Sequence, residues 1–266
     1  MKYYLYGVVL GLGLLGMACS EESIDTKTGS LIIQLNNVVG GAELTLNKTI
    51  YTNATGESFT VNKFDYFVSN IRLLKADGTE FVVPQENSYF LVREIDAASQ
   101  TIQLNDVPQA QYKGLSFVVG VDSLRSVSGT DKRKGVLDPK DTRTAGMIWD
   151  LNTGYIFLKL EGTSPAAPVD VAGQRTFRYH IGLFGRNGTL NNLRTIPVAF
   201  GTQEATPATT GTSTIYIDTD VNKIFDGRSR LSLAQTPDVM MSPKSADVAN
   251  NYATMFSFAG VKNTER

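Results

Sequence analysis

The sequence predicts a mainly β protein, an antiparallel β-sandwich-like single domain with few short helices. Short segments rich in Val, Ile, Leu, Phe and Tyr recur along the chain, many with a polar residue at every second position. Turn signals such as Asp77-Gly78 separate these segments. No longer window carries the 3.6-residue apolar stripe of an amphipathic helix. The 266 residues show no internal repeat and no clean linker, so one large core is the simplest expectation.

The predicted strands follow one another at short spacing from residue 30 onwards. In chain order they cover residues 30–36, 42–46, 58–63, 64–73, 80–83, 89–93, 99–104, 112–122, 146–162, 176–182, 195–200, 215–217 and 252–259. Short helical turns are expected at 123–127 and 246–251. Residues 126–143, 164–173 and 201–211 are rich in Gly, Pro, Ser, Thr and charged residues, which predicts exposed loops. The stretch 146–162 holds the only tryptophan, Trp149, and is expected to be a buried strand entered through a glycine turn.

The first residues indicate export. Lys2 precedes an apolar run, and small residues lead to Cys19, a pattern typical of a secretory signal. The run is shorter than the roughly 20 residues of a membrane span. A lone cysteine in this place resembles a bacterial lipobox, and the acidic Ser20-Glu21-Glu22-Ser23 after it resembles the export tag of Bacteroidetes-type surface lipoproteins. The alternative is ordinary cleavage that leaves Cys19 as a free thiol.

From this pattern we expect a lipoprotein signal peptide in residues 1–18, a polar tether in 19–29 and one β domain in 30–262. A lipid on Cys19 would hold the protein to the membrane. The expected location is the cell envelope, as an outer membrane lipoprotein that is periplasmic or surface-exposed.

Composition narrows the function classes. The 25 basic and 26 acidic residues give a net charge of -1, and no basic stripe with interleaved aromatics is present, so we expect no nucleic-acid partner. Cys19 is the only cysteine, which excludes an intrachain disulfide. No carboxylate pair, activated nucleophile or phosphate cradle is recognisable, so the protein is not expected to be an enzyme.

Metal ligands are the remaining chemistry that the residues suggest. His180 is the only histidine, and a half-buried core position and a metal-ligand role are both open for it. Imidazole suits copper or zinc, whereas the thioethers of Met240 and Met241 favour Cu(I). Methionine also fills gaps in cores, but neighbouring strand residues point to opposite faces, so one of this pair should leave the core. Including a nearby carboxylate, the candidate metal ligands are His180, Met240 and Asp238.

Several motifs in order resemble the MbnP-like domain. They are residues 64–73 (FDYFVSNIRL), 120–123 (GVDS), 135–139 (GVLDP), 146–149 (GMIW), 154–162 (GYIFLKLEG), 180–182 (HIG) and the segment 240–258. The resemblance therefore covers nearly the whole chain after the predicted tether.

The resemblance implies an extracytoplasmic, mostly β protein related to copper-binding proteins of methanotrophs. In those proteins a di-haem peroxidase of the MauG type oxidises a tryptophan to kynurenine, which then helps histidines to hold copper. For this chain it implies copper as cofactor, such a peroxidase as partner, His180 as ligand and Trp149 as ligand precursor. Leu151 stands where the family pattern has a second tryptophan, and His180 has no second histidine beside it. Both a copper-binding protein and a relative that has lost the metal remain open.

The alternative predicted function is that of a surface binding module without metal. Such a module would dock a partner protein or a glycan through the long loops at 126–143 and 201–211.

Overall fold

The computed structural model describes residue 1, residues 27–150 and residues 153–264. The predicted signal peptide after Met1, the lipidation site Cys19 and most of the predicted tether lie outside the described residues, as does Leu151. Among the described residues no helix has the length and apolarity to cross a membrane.

The described chain is built mainly from strands, with three short α-helices. The strands are β1 (Thr28–Val39), β2 (Ala42–Glu43), β3 (Tyr51–Thr52), β4 (Ser58–Lys75), β5 (Glu80–Val82), β6 (Tyr89–Arg93), β7 (Thr101–Pro108), β8 (Tyr112–Val119), β9 (Ile148–Asp150), β10 (Gly154–Thr163), β11 (Thr176–Gly182), β12 (Arg194–Ala199), β13 (Thr212–Asp220), β14 (Asp238–Val239) and β15 (Phe256–Thr264). The helices are α1 (Ser123–Ser126), α2 (Asn222–Phe225) and α3 (Lys244–Tyr252). The prediction of a mainly β single domain with few short helices is confirmed.

The strands form two sheets. The smaller has the order β15-β13-β1-β2, with β7 also paired to β1. The larger has the order β12-β8-β4-β10-β11-β14, with β3, β5 and β6 also paired to β4 and β9 to β10. Pairing is antiparallel except for two pairs, β1 with β13 and β11 with β14, which run parallel. The long strand β4 is central to the larger sheet, since four other strands, β3, β5, β6 and β8, pair with it besides β10.

The main core lies between the two sheets. Alternate residues of each strand point into it, as the two-residue period of a strand requires. From the larger sheet these are chiefly Phe64 and Tyr66 of β4, Leu158 and Leu160 of β10, and Phe177, Tyr179 and Ile181 of β11. From the smaller sheet they include Ile33 and Leu35 of β1 and Ile215 and Ile217 of β13. The intervening residues of the larger sheet therefore face outwards.

A second hydrophobic cluster covers part of this outer face. The segment between β8 and β10 folds back over the sheet, and its Leu137 and Met147 pack with Phe67 of β4 and Tyr155 and Phe157 of β10. The hydroxyl of Tyr155 donates to the carbonyl of Leu137 at 2.6 Å, which fastens the segment to the sheet. The remainder of the outer face carries charged side chains.

The stretch 146–162 differs from its prediction. Instead of one buried strand it is a hairpin of β9 and β10, with Asp150 paired to Gly154. Gly154 has a φ of 85°, and Asp150 accepts hydrogen bonds at 2.8 Å from both the backbone N–H and the hydroxyl of Thr153. These features turn the chain back, because a positive φ is easy only for glycine and Asp side chains bond readily to the backbone of a turn. Trp149 consequently lies on the short arm of the hairpin and is only half-buried.

The neighbourhood of Met240 and Met241 also differs from its prediction. β14 ends at Val239, so both methionines lie in the bend that follows it and not in a strand. Met240 is partly buried, whereas Met241 is exposed. The predicted alternation between opposite faces of a strand therefore does not apply to this pair.

Glu57, just before β4, fastens the segment after α2 to the larger sheet. Its carboxylate accepts hydrogen bonds from the hydroxyl of Ser232 and the backbone N–H of Leu233, both at 2.7 Å, and from the N–H of Ala234 at 3.0 Å. Burial raises the pKa of Glu57, but these bonds and one from Asn53 outweigh it and bring the pKa to about 2. The carboxylate therefore stays ionised, and keeps this contact, well below neutral pH.

Candidate metal-binding surface

The charged part of the outer face contains two rows of side chains that run across the strands. The first row is Arg93 of β6, Asp65 of β4, Lys159 of β10 and His180 of β11, each the register partner of the next. Opposite charges face one another where Asp65 lies between Arg93 and Lys159. Such cross-strand pairs each stabilise a sheet by roughly 0.2–1 kcal/mol.

The second row is displaced from the first by two residues on β4, β10 and β11. It is Lys63 of β4, Glu161 of β10, Arg178 of β11 and Asp238 of β14, again in direct register. Arg178 donates to Asp238 across a Nη2 to Oδ2 distance of 2.6 Å. Asp238, a predicted metal ligand, thus lies at the end of the second row as the ion-pair partner of an arginine.

His180 is linked to the second row through Glu161. The distance from its Nε2 to Glu161 Oε1 is 2.7 Å, and the imidazole side chain is 13% exposed. This hydrogen bond holds the pKa of Glu161 below its usual value, against the opposing effect of burial. The pair is therefore a carboxylate backing an imidazole at the edge of open solvent.

The interior of the first row is shielded from water. Asp65 and Lys159 are buried, and the ammonium of Lys159 donates to the carbonyl of Gly146 at the start of the hairpin. Burial lowers the pKa of Lys159 and raises that of Asp65, in the latter case against the attraction of Arg93. Lys159 thereby joins the charged rows to the segment that carries Trp149.

Trp149 lies at the boundary between the second cluster and His180. The centroids of its ring and the imidazole are 6.0 Å apart, with the planes inclined at 57°. Its Nε1 is buried and has no hydrogen-bond partner among the described residues. The indole also approaches β11 closely, because a Cβ at Gly182 would be only 2.9 Å from that nitrogen. The structure therefore places the predicted ligand precursor next to the predicted ligand.

Met240, the predicted thioether donor, and the buried methionines of the two clusters are placed differently. Met240 directly follows β14, the strand that pairs with β11 on the side away from β10. Met147 and Met255 are fully buried in the two hydrophobic clusters. Within residues 27–150 and 153–264 no group of three or more His, Cys, Asp or Glu side chains is arranged to hold a metal ion. The roles of His180, Met240 and Asp238 as ligands, and of Trp149 as precursor, stay predictions.

Glu161 and Gly182 are among the residues of this surface to which the sequence analysis assigned no role of their own. Strand periodicity alone puts Glu161 on the same face as Lys159. Its contact with His180 depends on β10 and β11 being neighbours, and Gly182 matters only because the β9–β10 hairpin folds Trp149 against it. Both facts belong to the tertiary structure.

Comparison with known proteins agrees with this architecture. A family model described as MbnP matches residues 28–242. Among solved structures the chain is similar to "MbnP from Methylosinus trichosporium", with a TM-score of 0.57 and 17% sequence identity over 89% of this chain and 100% of that one. At this identity the likeness concerns the fold alone. No curated protein matches the chain significantly.

Proposed function

Because the chain belongs to the MbnP family, we propose that it is an extracytoplasmic, lipid-anchored member that binds copper at the surface formed by His180, Glu161 and Trp149. The observation that carries this proposal is the juxtaposition of the only imidazole, backed by a carboxylate, with the only indole, whose buried N–H has no partner among the described residues.

The donor set fits copper better than zinc. Zinc sites are built from His, Cys, Asp or Glu ligands, whereas the predicted donors here include a thioether. Thioether sulfur instead favours Cu(I), and Met240 lies immediately beyond the strand beside β11. His180 would hold the ion through a ring nitrogen. Of the other predicted donors, Asp238 lies on the neighbouring strand β14, where it is paired with Arg178, and Met240 directly follows that strand. Copper bound here would supply a redox-active centre at the edge of solvent.

Trp149 would serve as the precursor of a further donor. Oxidation of its ring by a di-haem peroxidase with peroxide as the oxidant, as the family resemblance implies, would cleave the C2–C3 bond of the indole and release C2 as formate. The indole, which has no lone pair to offer, would become a group with carbonyl and amine donors. The position suits this, since the indole is half-buried beside His180 and close enough to solvent for a partner enzyme to approach. Intact-mass measurement of protein produced with and without such a peroxidase would detect the change.

We expect His180→Ala to abolish stoichiometric copper binding. Removing the only imidazole leaves thioether and carboxylate groups that are too few to hold the ion alone. Anaerobic titration of the purified protein with Cu(I), followed by metal analysis, measures the effect. Glu80→Gln, which alters an exposed carboxylate paired with Arg72 on the same sheet, is the matched control. Equal copper uptake by wild type and His180→Ala, or no uptake by wild type, would reject the proposal.

Membrane anchoring through Cys19 makes a separate prediction. We expect Cys19→Ala to move the protein from the membrane to the soluble fraction of the envelope, because the variant lacks the thiol that would carry the lipid anchor. Cell fractionation with detection by immunoblot measures this. If the variant stayed as membrane-bound as wild type, lipidation at Cys19 would not be its anchor.

A second candidate function is a surface module that binds a partner protein or glycan. The observation that favours it is a groove of about 730 Å³ along the predicted loop after β8, lined by side chains that include Glu86, Arg125 and Lys132. The copper titration separates the two functions, since a binding module without metal would take up no copper in any variant.

A further inference from the structure

A cleft away from the His180 surface opens between the two sheets. Its volume is about 470 Å³, within the range of roughly 300–1,000 Å³ that is typical of small-ligand sites. Phe81 of β5 and Phe90 of β6 line it from the larger sheet, and Leu104 of β7 lines it from the smaller one. Both phenylalanines pack against the main core, with part of each side chain still exposed. The cleft therefore offers aromatic surface to a ligand.

A β-bulge places two successive polar residues at the rim of this cleft. The register of β7 with β1 shifts between Leu104 and Val107, so that Asn105 and Asp106 together lie opposite a single residue of β1. Asp106 has a φ of 55°, a left-handed conformation that Asp and Asn adopt more readily than most residues. In a regular strand Asp106 would share the inward face of Leu104, whereas here Asn105 and Asp106 are both exposed and Val107 is buried. The bulge thus brings an amide and a carboxylate together where both line the cleft.

The polar side chains around the cleft are largely available to a ligand. Those of Asp106 and Asn87 make no hydrogen bond to any other residue in the described part of the chain. The amide of Gln103 donates to Oδ1 of Asn105 at 3.0 Å, which orients both amides and leaves Nδ2 of Asn105 as a donor. One carboxylate and several amides therefore remain for hydrogen bonds with a bound molecule.

The charge of the cleft disfavours an anionic ligand. None of the described residues that line it is a Lys, Arg or His. Glu86 lines it as well, but its carboxylate is already paired with Arg125 across a distance of 2.6 Å. The carboxylate of Asp106 would repel an anion, whereas it accepts readily from hydroxyl groups. The lining therefore suits a neutral molecule that is rich in hydroxyls.

We infer that this cleft binds a neutral sugar. The C–H groups of a sugar ring pack against the negatively charged face of an aromatic ring, and its adjacent hydroxyls match the two oxygens of a carboxylate or the donor and acceptor of an amide. Phe81 and Phe90 would contact the sugar ring, Asp106 would accept from a pair of hydroxyls, and Asn87 and Asn105 would bind the others. This function is independent of copper, because none of the residues proposed to hold copper lines the cleft.

Titration of the purified protein with a panel of neutral sugars tests the inference. The panel contains glucose, galactose, mannose and N-acetylglucosamine, with the disaccharides maltose, cellobiose and lactose. Saturation-transfer NMR detects binding, and backbone amide shifts locate it. We expect at least one sugar to bind with a micromolar to millimolar Kd and to shift amides of β5, β6 and β7. N-acetylneuraminic acid, an anionic sugar, should not bind, and trilysine serves as a cationic probe.

Two variants test the assigned contacts. Asp106→Asn suits the left-handed backbone and removes the carboxylate, so it should weaken sugar binding about 10-fold or more, as expected for hydrogen bonds to a charged group. Phe81→Leu keeps an apolar side chain without the aromatic face and should weaken binding about 3- to 10-fold. The matched control is Asp131→Asn, which changes an exposed carboxylate in the groove after β8 and should bind sugar as wild type does.

Each outcome decides the inference. Absence of binding by every sugar of the panel at millimolar concentration overturns it, and so does binding that Asp106→Asn leaves unchanged. Tighter binding of trilysine than of any sugar would assign the cleft to a cationic ligand instead. His180→Ala should bind sugar as wild type does, whether or not the protein takes up copper. Thermal unfolding verifies that the variants are folded, and if Phe81→Leu is not, Asp106→Asn decides alone.

Discussion

Gly162→Ala is expected to lower the free energy of unfolding by about 3 kcal/mol or more. A Cβ at this position would be 2.0 Å from the carbonyl oxygen of Thr60 and 2.5 Å from the ring of Phe177. The first atom belongs to the backbone of β4 and the second to a ring in the main core, so neither can move aside cheaply. The register between β10 and β4 also shifts at this point, which shows how closely the two strands approach here.

Urea denaturation followed by tryptophan fluorescence measures the loss, since Trp149 is the only tryptophan. Gly114→Ala in β8 is a graded control, because its Cβ would meet its nearest neighbour, the carbonyl oxygen of Val198, at 3.0 Å. We expect a clearly smaller loss there. A Gly162→Ala variant as stable as wild type would mean that β10 and β4 are not paired in this register.

Phe177→Ala is expected to destabilise the protein by about 3–5 kcal/mol. The ring is fully buried and lies at the centre of an aromatic group, with centroids 6.1 Å from Phe59, 6.0 Å from Phe225 and 6.1 Å from Tyr179. Truncation would remove these contacts and leave a cavity that the surrounding rings cannot fill. Phe177 also connects β11 to α2 through Phe225, so the loss should extend to the segment around that helix.

Thermal and urea unfolding of Phe177→Ala and Phe177→Leu provide the measurement, the second variant retaining most of the volume and costing about 1.5 kcal/mol or less. His180→Ala is a useful comparison, because it lies on the same strand but on the opposite face. We expect it to cost far less stability than Phe177→Ala. Equal destabilisation by the two alanine variants would contradict the structure, in which the inner face of β11 packs in the core and the outer face does not.

The fold class could be predicted from the sequence because the signals that indicate it are local. The alternation of apolar and polar residues along β11 predicts that Phe177, Tyr179 and Ile181 share one face and His180 the other, and the structure confirms this. Glycine turns and the absence of a helical stripe similarly predict a mainly β domain. The prediction of one buried strand over 146–162 was wrong in its first part, because the apolar residues on either side of 150–153 have the composition of a single strand. Only the turn at Thr153 and Gly154, held by Asp150, divides it into a hairpin.

The candidate site depended on contacts that no local signal reveals. Asp238 was a reasonable donor by residue type, yet its partner is Arg178, because β14 runs parallel to β11 in that register. The sequence alone gave no reason to assign a role to Glu161, since carboxylates are common on the solvent-facing side of strands and only its tertiary neighbours distinguish it. The hydrogen bond from Lys159 to the carbonyl of Gly146 could not be predicted from the sequence either, because it spans the hairpin.

The sequence by itself determined the class of fold, the faces of regular strands such as β11, and the family, because strand periodicity, turn residues and ordered motifs depend on neighbouring residues. Only the tertiary structure decided that Trp149 and His180 are 6.0 Å apart and that Glu161 backs the imidazole. The physical reason is the pairing of strands that are distant in sequence. Which strand lies beside which, and in what register, is settled by the packing of the whole core, and the chemistry of the outer face follows from that choice.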